Sequence, residues 1–217
     1  MPVSSKKNFK KRLLIILAIL AALLLVMYLL TLILPAILED IAEPTEEGTA
    51  DYNFYTPDFD ENIYEDEEYM SLIASGILKY DNASNSISDL NDENAAQFGD
   101  AVKFLYDYVD TIISGDAEEY NRFFSEKYYE KNSPKEAFTM QKIYNGTITY
   151  YSSEGVSENG NNYTKFIYKL KYNIYENNGT FRTDIGEDAK TQYIVITDRE
   201  GKLLIDSIST TSYKLNK

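Results

Sequence analysis

The chain has 217 residues, 35 acidic against 21 basic side chains, and no Cys, His or Trp. Disulfides, thiolate nucleophiles, Cys-ligated metals, imidazole relays and His-ligated metals are thereby excluded. A net charge of −14 argues against nucleic-acid binding, which needs clustered Lys and Arg on phosphates.

From Leu13 to Leu34 there are 22 residues without a charge, 16 of them Leu, Ile or Val. At about 1.5 Å per residue such a helix is roughly 33 Å long, enough for a hydrocarbon core of about 30 Å. The sequence therefore predicts a transmembrane helix within residues 13–38. A cleaved signal peptide has a shorter apolar run and a small-x-small site, which Ala36-Ile37-Leu38 does not supply. Lys6, Lys7, Lys10, Lys11 and Arg12 precede the span with no acid among them, whereas residues 39–70 hold thirteen acids and no base. The positive-inside rule then places residues 1–12 in the cytoplasm and the rest of the chain outside, as a single-pass cell-membrane protein.

Residues 39–70 read as an acidic, Tyr-rich spacer that cannot fold alone. Its rings (Tyr52, Phe54, Tyr55, Phe59, Tyr64 and Tyr69) allow a second reading, in which it docks along the domain or meets a basic partner. Asp58, Asp60, Glu61, Glu65 and Asp66 lack the spacing and central Gly of a calcium loop.

Residues 71–217 read as one globular domain. Residues 71–91 hold a short helix or strand, with Asp81-Asn82-Ala83-Ser84-Asn85 as a turn. A helix of about 21 residues follows, capped by Asp92, striped by Phe98, Val102, Leu105, Val109 and Ile112, and ended by Gly115. Tyr106 and Ile113 widen the stripe. Asp116 caps a short helix burying Tyr120, Phe123 and Phe124, and Ser133-Pro134-Lys135-Glu136 signals another that carries Phe138. The period then changes from 3.6 to 2. Strands are expected at Tyr144–Ser153, Tyr163–Glu176, Lys190–Thr197 and Lys202–Thr211, the middle two joined by a hairpin turn at Asn177-Asn178-Gly179-Thr180. Strands joined by turns this short are antiparallel. The fold class is α+β.

A long helix, Gly115-Asp116, a short helix with Tyr120 and Phe124, then four strands resembles the NTF2-like (cystatin-like) superfamily over residues 92–211. The chain is similar to a membrane-anchored extracytoplasmic branch of low-GC Gram-positive bacteria. The resemblance implies a cone-like domain, helices packed on a curved antiparallel sheet, with a pocket at its open end. It also implies, for some members, a carboxylate base with a Tyr donor, and Tyr and acids are plentiful here. Tyr168, Tyr172 and Tyr193 nevertheless read as core or sheet-face aromatics and Asp116 as a cap.

No catalytic, cofactor-binding or metal-binding residue is assigned, and no cofactor is implied. The expected function is a membrane-held extracytoplasmic binding or assembly module that performs no chemistry. Its partners are the membrane, through one span, and another envelope protein; no nucleic acid is expected, and no small-molecule ligand is identified. Two alternatives stand beside it: a scaffold similar to the inner-membrane component of type IV secretion and conjugation machines, or an isomerase or hydratase-type pocket enzyme using a carboxylate–Tyr pair.

Overall fold

A computed structural model describes residues 52–84, 86–158 and 160–211. The expected transmembrane helix within 13–38 and the cytoplasmic tail lie outside the described residues. Among the described residues no helix is long and apolar enough to cross a membrane.

The fold is α+β. Helix α1 (Glu67–Leu72) precedes strands β1 (Leu78–Asp81) and β2 (Ile87–Leu90), and helices α2 (Asp100–Ser114), α3 (Ala117–Arg122) and α4 (Glu126–Tyr129) follow. Strands β3 (Lys142–Glu158), β4 (Asn161–Tyr175), β5 (Gln192–Arg199) and β6 (Lys202–Ser209) complete a six-stranded sheet of order β2-β1-β3-β4-β5-β6. The sheet is mixed, correcting the antiparallel expectation: β1 runs parallel to β3, from Leu78 beside Gly146 to Asp81 beside Thr149. The residues at 71–91 thus form a hairpin that covers the edge of β3. Register shifts between β3 and β4 and between β5 and β6 mark bulges, which bend a sheet.

The inward alternation in β4 holds: Tyr168, Leu170, Tyr172 and Ile174 join the core. On the opposite face Ile167 and Val195 are also buried and are paired across strands. Nearby, the Lys169 ammonium lies 4.9 Å from the ring centre of Tyr151 and 5.7 Å from that of Tyr193. The long lysine stem and two rings lie on this outer face of the sheet.

Helix α2 buries Val102, Leu105, Tyr108, Val109 and Ile112 against the sheet. It is shorter than the sequence suggests. Asn91 and Asn94 cap each other in a turn, a 3-10 turn covers Ala95–Phe98, and Gly99 sits at φ 106°, outside helical space. Asp92 is therefore not its cap, and Tyr108, rather than Tyr106, is fully buried. Gly115 ends the helix in the left-handed conformation, as expected. Asp116 caps α3 by accepting from the Glu119 amide at 2.9 Å.

Two further expectations fail for one reason: tertiary partners take the backbone groups. Residues 133–141 form neither helix nor strand. The Asn121 side chain accepts from the Lys135 amide at 3.0 Å and donates to the Lys135 carbonyl at 2.8 Å. The Gln141 amide donates to the Ile113 carbonyl at 3.1 Å. Likewise Asn177–Thr180 is no tight hairpin, because residues 176–191 form a long loop between β4 and β5. Its keystone is Asn177, whose buried amide donates to the carbonyls of Arg182, Ile185 and Gly186.

The docking alternative describes residues 52–70, the second half of the expected spacer. Ile63 and Tyr69 are 0 % exposed and belong to the core. The Tyr55 amide donates to the Asn177 carbonyl at 3.3 Å. Lys142, only 8 % exposed, receives Glu61 at 2.9 Å, Asp66 at 2.7 Å and Glu176 at 2.6 Å. Three carboxylates converging on one buried ammonium tie the acidic segment to β3 and to the end of β4.

Candidate functional site

A cluster of rings packs around Tyr120, whose ring centre lies 5.4 Å from Tyr108, 5.0 Å from Phe124, 5.6 Å from Phe138 and 5.5 Å from Phe181. Gly115-Asp116 stops α2 and starts α3, the helix that carries Tyr120. The contacts to Phe138 and Phe181 are edge-to-face and the other two tilted, geometries that aromatic pairs favour.

Beside this cluster lies a recess of about 320 Å³, lined by Tyr108, Tyr120, Tyr128, Lys135, Arg182 and Gln192 among others. Its groups are donors at neutral pH. Burial pushes the Tyr108, Tyr120 and Tyr128 hydroxyls up, so they stay protonated. The Tyr108 and Tyr120 oxygens face each other at 3.4 Å. Burial, then the charge of Arg182, pulls Lys135 down, while its ammonium donates to the Phe181 carbonyl at 2.5 Å. Burial opposes the charge on Arg182, but Asp184 outweighs it through hydrogen bonds of 2.9 and 2.7 Å. The same contact holds Asp184 below the usual carboxylate range. The carboxylate at this mouth is thus committed to Arg182. The buried Gln192 carbonyl oxygen has no hydrogen-bond partner among the described residues. Two cations, Tyr hydroxyls and one orphan acceptor suit a small anionic or amide-bearing group.

A carboxylate–Tyr constellation does exist, on the flank of α2 rather than beside the Tyr120 ring cluster. A cleft of about 310 Å³ brings Asp92, Asp110, Tyr64 and Tyr106 over Leu78 and Leu90. Burial, then Asp92 and Asp107, raises the Asp110 carboxyl. Lys103 would lower it, but its ammonium is bonded to Asp107. Burial, then Asp92 and Asp110, pushes Tyr106 up to about 12, and Tyr64 rises through burial and then Asp110. Sequence reasoning did not single out this group, because Asp110 and Asp92 are exposed and meet only through the fold. The available signal was that Tyr106 and Asp110 lie one helical turn apart.

Tyr168 and Tyr172 are buried in the core, and Tyr193 lies on the outer sheet face, as the sequence reading held. Among the described residues no group of three or more His, Cys, Asp or Glu is placed to hold a metal ion. No known protein family, curated protein or solved structure matches the chain.

Proposed function

We propose that the chain is a single-pass, membrane-anchored extracytoplasmic binding or assembly module of NTF2-like design. The observation that supports it is the ring cluster around Tyr120, whose members Tyr108, Phe124, Phe138 and Phe181 are buried in the core and present no carboxylate. The recess beside it offers recognition groups, with its carboxylate held by Arg182. An anchor holds such a surface at a fixed place in the envelope, which serves meeting a partner. A scaffold role similar to the type IV secretion inner-membrane component is one form of this reading, and conjugation genes beside its gene would support it.

Two experiments test the proposal. Protease added outside intact cells is expected to remove residues 39–217, and protection of that part overturns the topology. For the binding role, Lys135→Gln with Arg182→Gln is expected to abolish the deletion phenotype's rescue, whereas Asp110→Asn rescues like the wild type. The opposite pattern favours the second reading, a pocket enzyme at the flank cleft, for which the raised Asp110 carboxyl beside Tyr106 speaks.

A further inference from the structure

A larger groove lies apart from the cone mouth, between α4 and the outer face of the β5–β6 hairpin, with a volume of about 510 Å³. Thr197, Arg199, Lys202, Leu204 and Asp206 line it from the two strands. Thr197 pairs with Leu204 and Arg199 with Lys202 across the hairpin, so alternate positions bring all four to one face. Asp206, two residues beyond Leu204, shares that face, where it meets the Thr197 hydroxyl.

Asp206 is 6 % exposed, yet its carboxylate is half satisfied. Oδ1 accepts from the Thr197 hydroxyl at 3.2 Å, and Oδ2 has no hydrogen-bond partner. The Lys127 ammonium stands 3.6 Å from Oδ2, beyond hydrogen-bond distance, on a side chain that is 62 % exposed. A buried carboxylate oxygen without a donor is unfavourable and calls for one. At the other end of the groove the charge reverses. Lys202 makes no ion pair among the described residues, and Arg199 lies over the Tyr163 ring at 4.1 Å with Glu158 at 3.9 Å. Four residues of strand separate Lys202 from Asp206, about 13 Å between backbones. Leu204, between them on the same face, is apolar. Glu126 and Glu130 of α4 are exposed on the opposite wall, and Arg122 there is held by Glu118 and Glu119.

We infer that this groove binds a zwitterion with an apolar middle, such as a dipeptide or an ω-amino acid. Its ammonium displaces Lys127 from the Asp206 oxygen, its chain lies along Leu204, and its carboxylate meets Lys202 and Arg199. A simple α-amino acid, with charges about 3 Å apart, is too short for a span set by four strand residues. Lys127 competes for the same oxygen.

The test is calorimetric titration of the full-length chain in detergent micelles with 6-aminohexanoate, glycine, cadaverine and hexanoate. Saturable binding of 6-aminohexanoate is expected, at least tenfold tighter than of the other three. Asp206→Asn is expected to weaken it tenfold or more, and Lys202→Gln with Arg199→Gln to do the same. Because an Asp206 variant can fail to fold, the exposed Lys127 supplies a second readout. Lys127→Gln is expected to tighten binding several-fold by removing the competitor. No binding to the wild type, equal binding of cadaverine or hexanoate, or weaker or unchanged binding to the Lys127 variant overturns the inference.

Discussion

The Tyr69 hydroxyl donates to the Ile143 carbonyl at 3.0 Å, joining the acidic segment ahead of the first strand to the start of β3, 74 residues later. Both side chains are 0 % exposed, so the acidic segment contributes to the core as well as to the surface charge. Tyr69→Phe keeps the ring but leaves a buried carbonyl without its donor. It is expected to destabilise the fold by about 1 kcal/mol, and Tyr69→Ala by about 3–5 kcal/mol, in urea denaturation. A chain starting at residue 71 is expected to lose cooperative melting that one starting at residue 52 keeps. Equal melts would show that the Tyr69 contact is dispensable.

Lys142 and its three carboxylates set the acid limb of stability. The hydrogen bond from Lys142, then the Tyr69 amide, holds Asp66 below its usual value. A depressed carboxyl contributes stability that is present above its unfolded value of about 3.9 and lost as pH falls through the folded value. Burial opposes the charge on Lys142, but the three acids outweigh it and raise the ammonium, whose contribution is lost only in strong base. Lys142→Met is expected to cost about 2–3 kcal/mol at pH 7, below the 3–5 of a fully buried pair because the acids are part-exposed. The variant then gains stability as pH falls toward 4, since protonation relieves three uncompensated carboxylates. A wild-type pH profile in the variant would count against this role.

Ring packing, not hydroxyl chemistry, defines Tyr108 and Tyr120. Their oxygens see each other at 3.4 Å, a weak contact, while their rings carry the cluster. Tyr108→Phe with Tyr120→Phe is therefore expected to change stability by less than about 1 kcal/mol. Tyr120→Ala is expected to cost about 3–5 kcal/mol. A loss in the double Phe variant as large as that of Tyr120→Ala would mean that the hydroxyls, not the rings, carry the cluster.

Gly115 meets two demands at once. Its φ is 73°, and an added Cβ would stand 2.8 Å from the Met140 amide nitrogen and 2.9 Å from the Thr139 carbonyl carbon. Left-handed strain of about 1–2 kcal/mol and a clash with fixed backbone of similar size add, so Gly115→Ala is expected to cost about 2–4 kcal/mol. Thermal melting measures it, and a loss under about 1 kcal/mol would mean that residues 138–140 can shift.

What the sequence determined by itself was local and periodic. The β4 alternation at Tyr168, Leu170, Tyr172 and Ile174, the stripe from Val102 to Ile112, the Gly115 stop and the Asp116 cap depend on neighbours within a few residues, so spacing alone reveals them. Tertiary structure decided what depended on distant partners. Ser133-Pro134-Lys135-Glu136 has a helix start, but Asn121 takes both backbone groups of Lys135 and no helix forms. Residues 52–70 carry a composition that cannot fold alone, yet Lys142 gathers Glu61 and Asp66, and the core admits Ile63 and Tyr69. The candidate sites belong to the same class. Asp110 meets Asp92 and Tyr64 only because the hairpin and the leading segment close on α2, and Asp206 meets Lys127 only because α4 packs beside β6. Such convergence is set by long-range packing energy, which no local period records.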